Sequence, residues 1–157
     1  MLISVVVVGN CSYNSQVDLM LSARALGASG ITFAAQPDNK RIVNFNKKVI
    51  KKWGGEFKVE FSRTVADAFK DRRNYKVVYL TQFGEPLSKI AHTLKAYRNL
   101  LIVVSSKESI KSIVDRSDFM VSVSRQPNSS TAALSVFLHV FFEGRELAVH
   151  FKNHEQG

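Results

Sequence analysis

The chain has 157 residues, enough for one domain with a real core and short for two. Apolar residues make up 45% and charged residues 22%, a composition that excludes a disordered chain. The formal charge of +9 points to an anionic partner such as nucleic acid, and a lone cysteine, Cys11, excludes an intrachain disulfide and a cysteine-based zinc site.

Residues 2–8 are rich in β-branched side chains and stop at Gly9-Asn10, which predicts a buried strand. Apolar residues at helical spacing over 17–26, closed by Gly27, predict a helix, and 31–34 a second strand. Residues 39–52 set Ile42, Val43, Phe45, Val49 and Ile50 among lysines, an amphipathic helix ending at Trp53-Gly54-Gly55. The clean alternation of 57–61 predicts a half-exposed strand. Residues 65–69 form a short helix and 76–80 a strand closed by Thr81-Gln82-Phe83-Gly84. Pro86 suits the first turn of a helix running to about residue 96. A near-continuous apolar strand over 100–104, a helix over 108–116 and a strand over 119–123 follow. Pro127 and Asn128 break the chain before an apolar helix over 131–142. That helix holds Phe137, Val140, Phe141 and Phe142, more apolar surface than one core face needs, so its outer face is expected to be a dimer interface.

Strands alternating with helices predict an α/β domain with a mostly parallel sheet and helices on both faces, spanning 1–157 as a single unit. Such sheets bind ligands beyond the C-terminal ends of their strands, so the loops at 9–16, 81–85, 105–107 and 124–130 are the places to look. Nearly all the positive excess lies within 40–76, where Lys47, Lys48, Lys51 and Lys52 share one helix and are the expected RNA contacts. Tyr13, in the first of those loops, is the aromatic to test for stacking on RNA. The histidines have no metal-ligand spacing with one another or with Cys11, so no metal is expected. The lone cysteine fits a reducing cytosol, and the opening apolar run is too short to span a membrane, so a cytoplasmic location without a membrane partner is expected.

Several segments, in order and spacing, resemble one family. Ser22-Ala23-Arg24-Ala25-Leu26-Gly27-Ala28 is similar to the first SPOUT motif, an Ala-Arg pair leading into a glycine turn. Lys52-Trp53-Gly54-Gly55-Glu56-Phe57 and Leu80-Thr81-Gln82-Phe83-Gly84 resemble features of the archaeal tRNA cytidine-2′-O-methyltransferases, which act on a T-loop cytidine. Gln126-Pro127-Asn128-Ser129-Ser130-Thr131-Ala132-Ala133-Leu134 resembles their third motif.

The resemblance implies a SPOUT fold with a C-terminal trefoil knot, S-adenosylmethionine as methyl donor, tRNA rather than DNA as partner, and a homodimer with its site near the subunit interface. The donor would be held by Leu80, by Ser105, Ser106, Lys107, Glu108 and Ser109, and by Val123, Ser124, Arg125, Gln126, Pro127, Asn128, Ser129 and Ser130. Arg24, Asn128 and Ser130 would carry catalysis, Arg24 by orienting a phosphate and favouring the developing alkoxide. The pattern departs from the family in three places. The basic loop after the first strand is replaced by the uncharged 10–16, and family glycines of the second and third motifs are serines here, Ser105 and Ser124. A protein of the same fold that binds RNA or a partner without catalysis is therefore the second hypothesis, and donor binding separates the two.

Overall fold

The computed structural model describes residues 1–106 and 110–151. Strands β1 (Leu2–Val8), β2 (Gly30–Ala34), β3 (Lys58–Ser62), β4 (Lys76–Pro86), β5 (Asn99–Ser105) and β6 (Phe119–Ser122) form one sheet in the order β3-β2-β1-β5-β4-β6. Every pairing is parallel. The strands are joined by helices α1 (Tyr13–Ala25), α2 (Lys40–Trp53), α3 (Val65–Phe69), α4 (Leu87–Leu94) and α5 (Lys111–Arg116), and α6 (Ser130–Phe142) follows β6. A short 3-10 helix, Arg145–Ala148, which the hydrophobic pattern does not signal, comes after α6.

The two-residue period of the strands divides the core. Ile3, Val5 and Val7 of β1, with Leu100, Ile102 and Val104 of β5, pack with Leu19 and Met20 of α1, Ile42 of α2, Leu94 of α4 and Phe137 of α6. Val6, Val8, Leu101 and Val103 point the other way, onto Ala68 of α3 and Ile113 of α5. The central strands β1 and β5 are covered on both faces, which is why they read as unbroken apolar runs. Each fully buried large side chain, such as Phe137, contributes about 1.5–3 kcal/mol. The edge strand β3 pairs only with β2 and stays half-exposed, as its alternation predicts.

Element ends differ from the sequence pattern for local reasons. Helix α1 starts at Tyr13, because the Ser12 hydroxyl accepts from Ser15 N–H and caps a polar first turn that carries no apolar signal. Within the described residues α5 starts at Lys111. Strand β4 continues to Pro86, which ends the strand and caps α4 instead of lying inside the helix. The apolar face of α6 also needs correction: Phe137 and Phe141 are buried in the core, and the Phe142 ring rests against Gly27. The outward apolar residues of α6 are Val136 and Val140, 45% and 39% exposed, with exposed Leu21 on α1, the helix α6 packs against.

Candidate functional site

A cleft of about 180 Å³ lies at the C-terminal ends of β4, β5 and β6, open to solvent on one side. Tyr79, Leu80, Thr81 and Gln82 form one wall. Val104, Ser105 and Ser106 form the second, and Val123, Ser124, Gln126, Pro127, Asn128, Ser129, Ser130 and Ala133 the third. The first wall exists because β4 is interrupted. Leu80 and Glu85 both face Val121 of β6, so 81–84 leaves the ladder and puts Thr81 and Gln82 into the cleft. Gly84 permits the return, since a Cβ there would collide with the main chain of Met120 and Val121.

Hydrogen bonds tie the walls together. The Ser130 hydroxyl donates to the Ser105 carbonyl at 3.3 Å. The Ser106 N–H donates to the Val8 carbonyl at 3.2 Å, fixing the second wall to β1. In the third wall the Ser122 hydroxyl donates to the Ser124 carbonyl at 2.8 Å, and the Ser124 hydroxyl accepts from Gln126 N–H at 3.1 Å. Asn128 Nδ2 donates to the Gln126 carbonyl at 3.1 Å, so its amide shapes the loop. Ser129, and neither Asn128 nor Ser130, caps α6, accepting from Ala132 N–H at 3.1 Å. Beneath the cleft Tyr79 is 2% exposed. Burial pushes its phenol above the usual tyrosine value, while hydrogen bonds to the Ile110 main chain and the Ser105 side chain act the other way.

Most of the expected donor-binding residues therefore meet at one place. Leu80, Ser105, Ser106, Val123, Ser124, Gln126, Pro127, Asn128, Ser129 and Ser130 all line the cleft. Arg125 is exposed on the same loop without lining it. Lys107, Glu108 and Ser109 lie outside the described residues. Thr81 and Gln82 come from the 81–85 loop that the rule for strand ends singles out, while Tyr79, Val104 and Ala133 were missed as lining residues. A glycine five residues into the strand–loop segment, Gly84, was the available signal for the excursion in β4.

Arg24 sits elsewhere in its own chain. Helix α1 runs back from the C-terminal edge of the sheet, and its end is joined to the start of β1 through the Ser29 N–H, which donates to the Ile3 carbonyl at 2.8 Å. There the Arg24 guanidinium donates to the Gly54 carbonyl at 2.5 Å and lies 5.1 Å from the Phe151 ring centroid. Burial lowers its pKa. Lys47, Lys48, Lys51 and Lys52 are exposed on the C-terminal half of α2, also away from the cleft edge. Cys11 is half-buried, its thiol donating to the Gly9 carbonyl at 3.6 Å, and burial pushes its pKa up, which favours the neutral thiol over the nucleophilic thiolate. Among the described residues no group of His, Cys, Asp and Glu is placed to hold a metal.

The family model for "tRNA ribose 2′-O-methyltransferase, aTrm56" matches residues 53–156, a span that contains every residue of the cleft wall. The tRNA (cytidine(56)-2′-O)-methyltransferase of Methanococcus maripaludis strain S2 is 37% identical over 135 residues, covering 81% of this chain and 73% of that protein. The chain belongs to the tRNA ribose 2′-O-methyltransferase family. The Thermococcus kodakarensis member, also named tRNA (cytidine(56)-2′-O)-methyltransferase, is 34% identical over 140 residues, covering 85% of this chain and 76% of its own. Among solved structures, the SpoU methyltransferase AviRb from Streptomyces viridochromogenes, in complex with AdoMet, superposes with a TM-score of 0.68 at 16% identity. That match covers 92% of this chain and 58% of the AviRb chain, so this chain spans under two thirds of that protein, and the likeness is one of fold.

Proposed function

We propose that this chain transfers a methyl group from S-adenosylmethionine to the ribose 2′-hydroxyl of a T-loop cytidine in tRNA. The observation that carries this reading is the convergence of Leu80, Ser105 and Val123 to Ser130 on one cleft. The cleft suits the donor chemically. Leu80, Val104, Val123 and Pro127 offer apolar walls to an adenine, and the serine-rich loops offer polar groups to its edge and ribose. Ser105 and Ser124 line the space without filling it. Its 180 Å³ falls below the roughly 300–1,000 Å³ of sites that engulf a ligand, so one end of the bound donor stays open, where an RNA ribose must approach. When bound, the donor supplies an electrophilic methyl group on a sulfonium. The chain's part is to hold the adenosine and to set the ribose hydroxyl in line, with Asn128 and Ser130 as the side chains at hand. An acceptor that must carry a 2′-hydroxyl is RNA and not DNA.

The assembly we propose is a homodimer built on the exposed strip of Leu21, Val136 and Val140. A two-fold axis across α1 and α6 sets the end of one α1 beside the start of the other α6, which brings Arg24 of one subunit toward the cleft of its mate. Lys47, Lys48, Lys51 and Lys52 then supply long-range attraction for tRNA rather than contact at the reacting ribose. The return of 124–130 past the ends of β4 and β5 supports a trefoil knot, with 1–157 as one unit. A tRNA substrate supports a cytoplasmic location, and among the described residues no helix is long and apolar enough to cross a membrane.

The test is the purified chain with labelled donor and an unmodified tRNA transcript, followed by mapping of the product. A 2′-O-methylcytidine in the T loop is the expected result. A folded chain that binds tRNA but has no affinity for the donor leaves only a binding protein of this fold.

A further inference from the structure

We propose that Arg41, seated over the Tyr13 ring, grips a backbone phosphate of the substrate RNA beside the nucleotide that enters the cleft. This rests on the methyltransferase reading and adds a contact residue to it. The Arg41 guanidinium carbon lies 3.9 Å from the Tyr13 ring centroid. Tyr13 packs against the core and is half-buried, and Arg41 covers a face of the ring that a base would stack on. The aromatic orients the cation instead. A stacked guanidinium keeps its N–H fork in a fixed plane, the geometry that suits phosphate oxygens.

The pair is also lashed from below. Asn39 Oδ1 accepts from Arg41 N–H at 3.0 Å, while Asn39 Nδ2 donates to Gln16 Oε1 at 3.2 Å. Gln16 Nε2 in turn donates to Gln36 Oε1 at 3.2 Å in the buried interior. This chain of amides ties the first turn of α2 to the first turn of α1, and so sets the Arg41 backbone beside Tyr13. Arg41 is exposed, and among the described residues no carboxylate pairs with it, Asp38 included.

Position supplies the link to the cleft. Tyr13 follows the loop after β1, and Arg41 the loop after β2, both at the sheet edge where the cleft opens. Gly9 at the head of the first loop has a φ of +102° and lies so close to Ser106 that a Cβ would strike the Ser106 hydroxyl. The cleft wall, the β1–α1 loop and the Tyr13–Arg41 pair are therefore one continuous surface. β2 is two strand spacings from β5, about 10 Å, which is within reach of phosphates flanking a ribose seated at the cleft. Lys40 and Arg63 are exposed at the same edge, so the strand would continue over positive charge.

The experiment uses the full chain and an unmodified tRNA transcript, with binding measured by fluorescence anisotropy across a potassium chloride series. Donor binding by calorimetry and steady-state methylation run alongside. Arg41→Ala is expected to weaken tRNA binding about tenfold near 0.1 M salt and to reduce the log–log salt slope by about one. Its donor affinity and kcat stay at the wild-type level while KM for tRNA rises. Arg41→Lys keeps the slope but not the affinity, because an ammonium is a point charge without the planar fork. Tyr13→Ala releases the guanidinium and weakens binding with the slope retained. Unchanged tRNA affinity and slope in Arg41→Ala, in a preparation where the wild type binds and methylates, overturns the phosphate contact and leaves the methyltransferase reading standing. A wild-type chain that binds the donor but not tRNA overturns both.

Discussion

Ser130, the first residue of α6, donates its hydroxyl to the main-chain carbonyl of Ser105, the last residue of β5, at 3.3 Å. One hydrogen bond thus joins the exit of the third cleft wall to the start of the second, and an incoming donor meets walls already set against each other. Ser130→Ala removes this tie without uncapping α6, because Ser129 is the cap. A neutral hydrogen bond is worth about 0.5–1.5 kcal/mol, so donor affinity should fall by up to about tenfold. Calorimetry with S-adenosylmethionine checks it. Wild-type affinity with slower turnover would move the hydroxyl to the acceptor side, and no change in either would remove it from the site.

Gly84→Ala tests the excursion in β4. The added methyl would meet main chain of Met120 and Val121, which has less freedom to yield than a side chain. The expected cost is about 1–3 kcal/mol, a fall in Tm of about 3–10 °C. Phe83→Ala, at a residue 63% exposed, is the control and should melt near the wild type. Donor binding should suffer in Gly84→Ala beyond the loss of stability, since Thr81 and Gln82 ride on the displaced segment. A variant that melts and binds normally would mean the segment adapts.

The contrast between these positions shows what was legible in the sequence. The strands, the helices on both faces and the parallel sheet follow from apolar periodicity, and β1 and β5 announce their burial by having no polar face. The cleft loops were found by resemblance and by the rule for strand ends. Three features were not legible. The pairing of both Leu80 and Glu85 with Val121 is a tertiary register with no local signature. The inward turn of Phe137 and Phe141 depends on how α6 sits, because a helix apolar all round does not declare which face is buried. The distance of Arg24 from the cleft of its own chain was not legible either, since a motif gives residue types and not the edge of the sheet on which a helix ends. Its observed partners, Gly54 and Phe151, explain the Trp53-Gly54-Gly55 segment as a packing site: a Cβ on Gly55 would collide with the Phe151 ring.

Tyr79 makes the cleft sensitive to alkali. Its phenol titrates above the tyrosine value of about 10 because burial penalises the phenolate. A group whose folded pKa is raised binds its proton more tightly in the folded state. Its contribution is full below the unfolded value and is lost as pH rises through the folded one. The stability curve should therefore bend downward above about pH 10, and Tyr79→Phe, which cannot ionise, should flatten that bend while losing the hydrogen bond to Ser105. Urea melts from pH 8 to 11 provide the comparison. Identical alkaline slopes in both proteins would assign the bend to other residues.

Arg24→Ala separates packing from catalysis. Loss of the charged hydrogen bond to the Gly54 carbonyl should cost about 1–3 kcal/mol of stability, whatever else the residue does. Donor affinity should be retained, because the residue is no part of the cleft wall of its own chain. Turnover should be lost only if the guanidinium serves the cleft of the second subunit, and mixing decides this. Arg24→Ala subunits are co-assembled with Asn128→Ala/Ser130→Ala subunits, each inactive alone. In a mixed dimer the intact cleft of the first kind faces the intact arginine of the second, so random mixing should restore about a quarter of wild-type activity. No recovery, with mixed dimers shown to form, would confine Arg24 to holding Gly54 and Phe151. Val136→Asp in either partner should abolish both the recovery and the dimer in light scattering, since a carboxylate would then be buried on the apolar strip. Recovery that survives this substitution would place the subunit contact on another face.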